Sequence, residues 1–289
     1  MEFRTKVDIP RLGFEIEPHE EMLFVGSCFA AEMGHRFQQE QFRAVVNPFG
    51  TMYNPVSVLH TLQQLSKVPR IVFLTLGTNH VYRLKETGEI VDNCQKRPAA
   101  LFQEEVLTVS ECVGYLRQAV ELLRSRRPDV QIVFTVSPIR YRKYGYHGSQ
   151  LSKATLLLAV EEVLAPLSSP EGDTLPCRST FVSPSGDERG AYFPSYEILM
   201  DELRDYRFYK SDMLHPSEQA VDYIWERLVD SCFSARARQW LDDWRPVKQV
   251  LAHRPTDADS EEYRALMDKT MLKVEELRKK YPTFAFRKW

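Results

Sequence analysis

EMLFVGSCFA, residues 21 to 30, joins an apolar run to a glycine and a serine–cysteine pair. The apolar run ending at Val25 reads as a strand buried on both faces, and Gly26 breaks it. From Ser27 the apolar spacing changes to that of a helix, SCFAAEMGHRFQQ (27–39). A strand that turns straight into a helix opens a parallel α/β sheet. The turn carries a serine and a cysteine side by side, so Ser27 and Cys28 are both candidate nucleophiles. The alternative is that both are simply small residues in a tight turn, with the serine capping the helix.

Working outward, IVFLTLG (71–77) reads as a strand, VSECVGYLRQAVELLRSRR (109–127) as a helix and VQIVFTVSP (130–138) as a strand. LSKATLLLAVEEVLAPL (151–167) continues as an apolar-faced helix, and STFVSP (179–184) or AYFPSYEI (191–198) supplies a further short strand. HPSEQAVDYIWERLVDSCF (215–233) reads as a closing helix with Pro216 in its first turn, where proline is tolerated. The alternation predicts a parallel sheet covered on both faces. Beyond about residue 234 no strand pattern remains. Ser260 is placed to cap a helix over SEEYRALMDKTMLKVEELRKKYP (260–282). We therefore divide the chain into an α/β domain, 1–235, and a helical C-terminal extension, 236–289, packing on it.

A chain of 289 residues with 43% hydrophobic and 27% charged residues and a net charge of −2 has the composition of an ordinary globular protein. That charge gives no reason to expect nucleic acid or an anionic membrane as partner. The first residues carry mixed charge and no apolar signal core, and no stretch reaches the length of a membrane span, so the expected location is cytoplasmic. The cysteines Cys28, Cys94, Cys112, Cys177 and Cys232 are scattered, with no C-x-x-C pair. Neither a disulfide framework nor a metal site is expected, and no cofactor.

In open parallel sheets the functional crevice lies at the carboxyl ends of the strands. Gly26-Ser27-Cys28 falls there, as does LGTNHVYR (76–83) after the strand IVFLTL, and we add the turn-rich NPFGTMYNP (47–55). Late in the chain, SDMLHPSEQA (211–220) sets Asp212 three residues before His215, so that a carboxylate can hold an imidazole in one tautomer. Nucleophile, base and orienting acid are what acyl transfer requires. Each cluster alone has a plain structural reading as a turn or a cap. Their order on an alternating pattern favours a site. Tyr53, Tyr82, Arg83, Arg140, Arg142, Lys153 and Tyr196 are further pocket candidates. Arg140 and Arg142 follow a strand end, where an anionic or carbohydrate ligand can be gripped, although solvated loop charge is the commoner reading for such residues.

FVGSCFA (24–30), NPFGTMYNP, VSPIRYRKYG (136–145), LSKATLLLA (151–159), YFPSYEILMDELRDYRFY (192–209) and DMLHPSEQAVDYIW (212–225) together resemble the GSCFA family over roughly residues 20 to 235. That family is similar to the SGNH/GDSL hydrolases. The resemblance implies a three-layer α/β/α sandwich with a mostly parallel, flavodoxin-like sheet. It also implies an ester-cleaving or acyl-transferring activity but no particular substrate; our own expectation is a small-molecule or carbohydrate ester. Carried over by position, the nucleophile falls on Cys28 in an ungapped register and on Ser27 if the turn is one residue tighter. The glycine of the second block falls on Gly50, the third block on Gly77-Thr78-Asn79-His80, and the closing pair on Asp212 and His215. Gly50 and Asn79 would then serve as oxyanion donors, with His80 and Arg140 beside the substrate. This sequence departs from the SGNH pattern in carrying a cysteine at the nucleophile position and His80 in place of an aspartate. Those departures keep a second function open, a catalytically silent binding module for a carbohydrate or acylated ligand. A third, an assembly partner acting through the C-terminal helices, leaves the polar clusters unexplained.

Overall fold

The computed structural model describes residues 4–9, 12–92, 94, 97–165, 190–257 and 259–286. Its elements run β1 Glu21–Gly26, α1 Cys28–Gln39, β2 Arg43–Val46, α2 Pro55–Gln64, β3 Ile71–Leu76, β4 His80–Leu84, β5 Ile90–Val91, β6 Phe102–Val106, α3 Val109–Arg126, β7 Gln131–Val136, α4 Gly145–Leu164, β8 Ala191–Tyr192, the single turn α5 Ser195–Glu197, α6 Glu218–Cys232, α7 Ala235–Ala252 and α8 Glu261–Lys280. The main sheet is parallel throughout, in the order β2-β1-β3-β7-β8. Once the small antiparallel sheet β5-β4-β6 is set aside as an insertion between β3 and α3, this is the flavodoxin-like order. Its switch point lies between β1 and β3, so the crevice opens where Gly26 and Leu76 end those strands.

Strand side chains alternate between two cores. Met22, Phe24, Ile71, Phe73 and Val133 pack with α1, α6, α7 and α8 on one face. Leu23, Val25, Val72, Leu74, Ile132 and Phe134 pack with α2, α3 and α4 on the other. The result is the expected three-layer sandwich. Gly26 is indispensable at the switch point. Its φ is +146°, and a Cβ there would lie 2.1 Å from the Thr75 carbonyl oxygen.

The C-terminal helices belong to the first core. Trp240 and Trp244 of α7 are fully buried, and their indole N–H groups donate to the carbonyls of Glu40 and Gln39 behind α1. His19 sits among Trp240, Tyr281 and Phe284, with Nδ1 3.2 Å from Thr283 Oγ1. Ser260 caps α8, as the spacing predicts.

Three local expectations need amendment. Pro216 lies outside α6 because Ser217 is the cap, accepting from the Ala220 N–H, while Pro216 forms a bridge with Tyr209. The further strand comes from Ala191–Tyr192, whereas STFVSP and Cys177 lie outside the described residues. The insertion sheet and the short β2 are additional to the strands read from the sequence.

Candidate active site

The loop 47–54 is laced onto the end of β1. Asn47 donates its N–H to Phe24 O and accepts from Gly26 N through Oδ1 at 2.9 Å, while Met52 N donates to Gly26 O. The Tyr53 carbonyl then accepts from both Gly77 N and Thr78 N at 2.8 Å, which draws the end of β3 against the same loop. A Cβ on Gly77 would stand 3.1 Å from Tyr53 O and 3.4 Å from Ser27 Cβ, so glycine permits this approach. From α4, Ser152 Oγ accepts from Asn79 N, and Lys153 Nζ donates to Gly77 O at 2.7 Å. Three sequence clusters thus become one hydrogen-bonded unit.

Within it, Ser27 and Cys28 occupy different environments. Ser27 is buried and caps α1, its Oγ accepting from the Phe29 N–H at 3.3 Å. Cys28 is the first residue of α1 and half-buried, with Sγ 3.6 Å from Tyr53 Oη. Its N–H is among those a helix start leaves without an intrahelical acceptor. Burial, followed by the hydrogen bond with Cys28, pushes the Tyr53 phenol up to about 12. Tyr53 therefore stays protonated and available as a donor.

Asp212 and His215 form the pair that the spacing implies. Asp212 Oδ2 is 2.6 Å from His215 Nδ1, while Oδ1 accepts from the N–H groups of Leu214 and His215 at 2.9 and 3.0 Å. These bonds, the backbone ones foremost, hold the carboxyl down at about 2. Met213 adopts φ +58° within the turn, a left-handed conformation rare for a residue with a long side chain. The loop is anchored twice: Arg140 N donates to Leu214 O, and Lys210, whose N–H donates to His215 O, pairs through Nζ with Glu32 at 2.7 Å. Glu32 lies one turn after Cys28 on the same face of α1.

The donors of the other family positions are engaged within the fold. The Gly50 N–H donates to Asn47 O at 2.9 Å. Asn79 Nδ2 donates to Leu107 O at 2.7 Å, and its buried Oδ1 has no partner among the described residues. His80 begins β4, where Nδ1 lies 3.1 Å from Glu104 Oε1 and the ring stacks on Tyr144 at 3.5 Å; burial is the main cause lowering its pKa. Tyr144 in turn stacks near Tyr141, and Tyr141 meets Tyr53 edge-on, giving an aromatic row from Cys28 to His80. Arg140 donates to Tyr209 Oη at 3.1 Å and lies over the rings of Tyr146, Tyr206 and Tyr209. The sequence marks Tyr53 only as pocket lining, because nothing in the chain signals a contact across 25 residues. Among the described residues no cluster of His, Cys, Asp and Glu is arranged to hold a metal, and no helix is long and apolar enough to cross a membrane.

Fold and site together define a flavodoxin-like α/β sandwich carrying a thiol and an acid–imidazole pair at its carboxyl edge. The chain belongs to the GSCFA family, whose model matches residues 21–70 and 63–228. A second model, the C-terminal domain of GSCFA domain proteins, matches 244–288. No curated protein matches the chain. Among solved structures it is similar to a protein from Lactobacillus plantarum (12% identity, TM-score 0.44, covering 76% of this chain and 100% of that one). It is also similar to a carbohydrate esterase family 3 protein from Talaromyces cellulolyticus (9%, 0.37, 77% and 99%) and to an acetyl xylan esterase from Butyrivibrio proteoclasticus (11%, 0.38, 75% and 63%).

Proposed function

We propose that this protein transfers acyl groups from esters, with Cys28 as nucleophile, His215 as its base and Asp212 as the residue that orients His215. The observation that carries the reading is the 2.6 Å Asp212–His215 contact, in a loop tied by Lys210 to the face of α1 that bears Cys28. With Nδ1 committed to the carboxylate, Nε2 is the nitrogen left to exchange protons. Ser27 suits the supporting role, since its hydroxyl is buried and spent on the helix cap.

In the first half-reaction His215 takes the thiol proton, Cys28 Sγ bonds to the carbonyl carbon, and the electron pair moves onto the carbonyl oxygen. Collapse breaks the ester C–O bond, and His215 returns the proton to the departing alkoxide. Water or an acceptor hydroxyl then attacks the thioester by the reverse sequence, which frees Cys28. With the Gly50 N–H and the Asn79 amide engaged elsewhere, the donors best suited to the oxyanion are the Cys28 N–H and Tyr53 Oη. The aromatic row from Tyr53 to His80 suits an acyl chain or a sugar ring, consistent with a carbohydrate ester as substrate. The same engaged donors favour the second reading, a silent module that binds such a ligand without cleaving it.

Hydrolysis of 4-nitrophenyl acetate separates the two. We expect turnover by the wild type and a loss of roughly 10³-fold or more in Cys28→Ala and His215→Ala, each still folded by circular dichroism. Full activity in His215→Ala would sink the scheme.

A further inference from the structure

Beside the row Tyr53–Tyr141–Tyr144 lies a cavity of about 250 Å³. Arg140 and Lys153 line it together with Ser149, Gln150, Tyr196 and Tyr206. Lys153 is among the largest fully buried side chains, yet it carries a titratable amine. Nζ has a carbonyl partner, Gly77 O, and among the described residues no carboxylate pairs with either Lys153 or Arg140. The carboxylates whose charge acts on Tyr196 are Glu197, which accepts from Tyr192 Oη, and Asp201; neither lines the cavity.

Burying an amine without a counter-charge is costly, and proteins meet that cost by supplying an acid, by substituting an apolar residue or by lowering the amine's pKa. Among the described residues no acid is supplied to Lys153, the amine's pKa is lowered instead, and Arg140 lines the same cavity. The cavity also adjoins both arms of the candidate active site. Lys153 binds the carbonyl of Gly77, whose N–H donates to Tyr53 O, and the Arg140 N–H binds the carbonyl of Leu214 next to His215. We propose that Arg140 and Lys153 form a subsite for an anionic oxygen group, a carboxylate or a phosphoryl, carried by the ester substrate. This rests on the acyl-transfer reading and narrows it to anionic esters. The planar guanidinium suits two-point recognition of such a group, and a protonated Lys153 adds a point charge. Burial holds the Lys153 amine down at about 7, so an arriving anion would draw a proton onto it.

The test is calorimetric titration of the full chain with inorganic phosphate and, separately, with succinate, in wild type, Arg140→Gln, Lys153→Met and Cys28→Ala. Saturable binding of at least one anion, weakened roughly tenfold or more by Arg140→Gln and retained in Cys28→Ala, is expected. Preference between the two anions identifies the phosphoryl or the carboxylate as the favoured group. Absence of saturable binding to wild type, or equal affinity in Arg140→Gln, overturns the proposal. Arg140 is only half-buried, so its variant keeps the test decisive if Lys153→Met fails to fold. Binding is read without turnover, so an inert Cys28 and an empty subsite give different results.

Discussion

The Tyr53 hydroxyl stands 3.6 Å from Cys28 Sγ at the point where β1 becomes α1, and its carbonyl is pinned by Gly77 and Thr78. A neutral phenol fixed at that place can hold a thiolate before attack and the oxyanion after it. Tyr53→Phe keeps the ring and its edge-on contact with Tyr141 but removes the donor. We expect kcat to fall roughly 10²-fold with little change in thermal stability, because one lost oxyanion donor typically has that effect. A stability loss that accounts for the lost activity would assign Tyr53 a packing role instead.

Asp212→Asn tests the orienting acid. The amide is nearly the same shape but favours the wrong imidazole tautomer, so kcat should drop by roughly 10³ to 10⁴. Because the Asp212 carboxyl sits at about 2, wild-type activity should show no titration of this group above about pH 3. An undiminished rate in Asp212→Asn would remove the pair from the mechanism.

Gly26→Ala tests the geometry of the switch point. A methyl group 2.1 Å from Thr75 O, on a backbone at φ +146°, forces β1 and β3 apart. A destabilisation of about 3 kcal/mol or more is expected in urea unfolding. A variant within 0.5 kcal/mol of wild type, roughly the scatter of a neutral surface change, would contradict the register of these strands.

His19 ties the C-terminal helices to the sheet domain, and its titration should be visible in stability. Burial, then the charges of Arg43 and Arg236, lowers its pKa from 6.5 to about 4. The unfolded chain therefore binds more protons than the native one between those values. Its contribution is complete above pH 6.5 and is lost as the pH falls from there to about 4. His19→Gln should flatten that slope in denaturant midpoints measured against pH. Parallel slopes for the two proteins would refute the assignment.

The strands that were legible were those buried on both faces. β1, β3 and β7 are continuous apolar runs because helices cover both sides of them. β2 is four residues long, with Arg43 at one end and an exposed Val45, and presents no such run. The insertion strands carry His80, Arg83, Glu104 and Glu105, which pair with one another across the small sheet instead of filling a core. At the site, the Asp212–His215 pair follows from local spacing, as does the Ser27 cap. The roles of Tyr53, His19 and Lys153 arise from partners far along the chain, which no local pattern encodes. Lys153 could be read from the sequence as a pocket candidate, but only tertiary packing reveals that it is buried and bonded to Gly77 O.

The proposed mechanism makes Cys28 an activated nucleophile served by His215. Intact-mass labelling with iodoacetamide and, separately, with a fluorophosphonate, across wild type, Ser27→Ala, Cys28→Ala and His215→Ala, tests it most directly. Rapid single alkylation by iodoacetamide that is abolished in Cys28→Ala, sharply slowed in His215→Ala and retained in Ser27→Ala is expected. Fluorophosphonate labelling that disappears with Ser27→Ala, or alkylation of Cys28 at the same rate with and without His215, would contradict it.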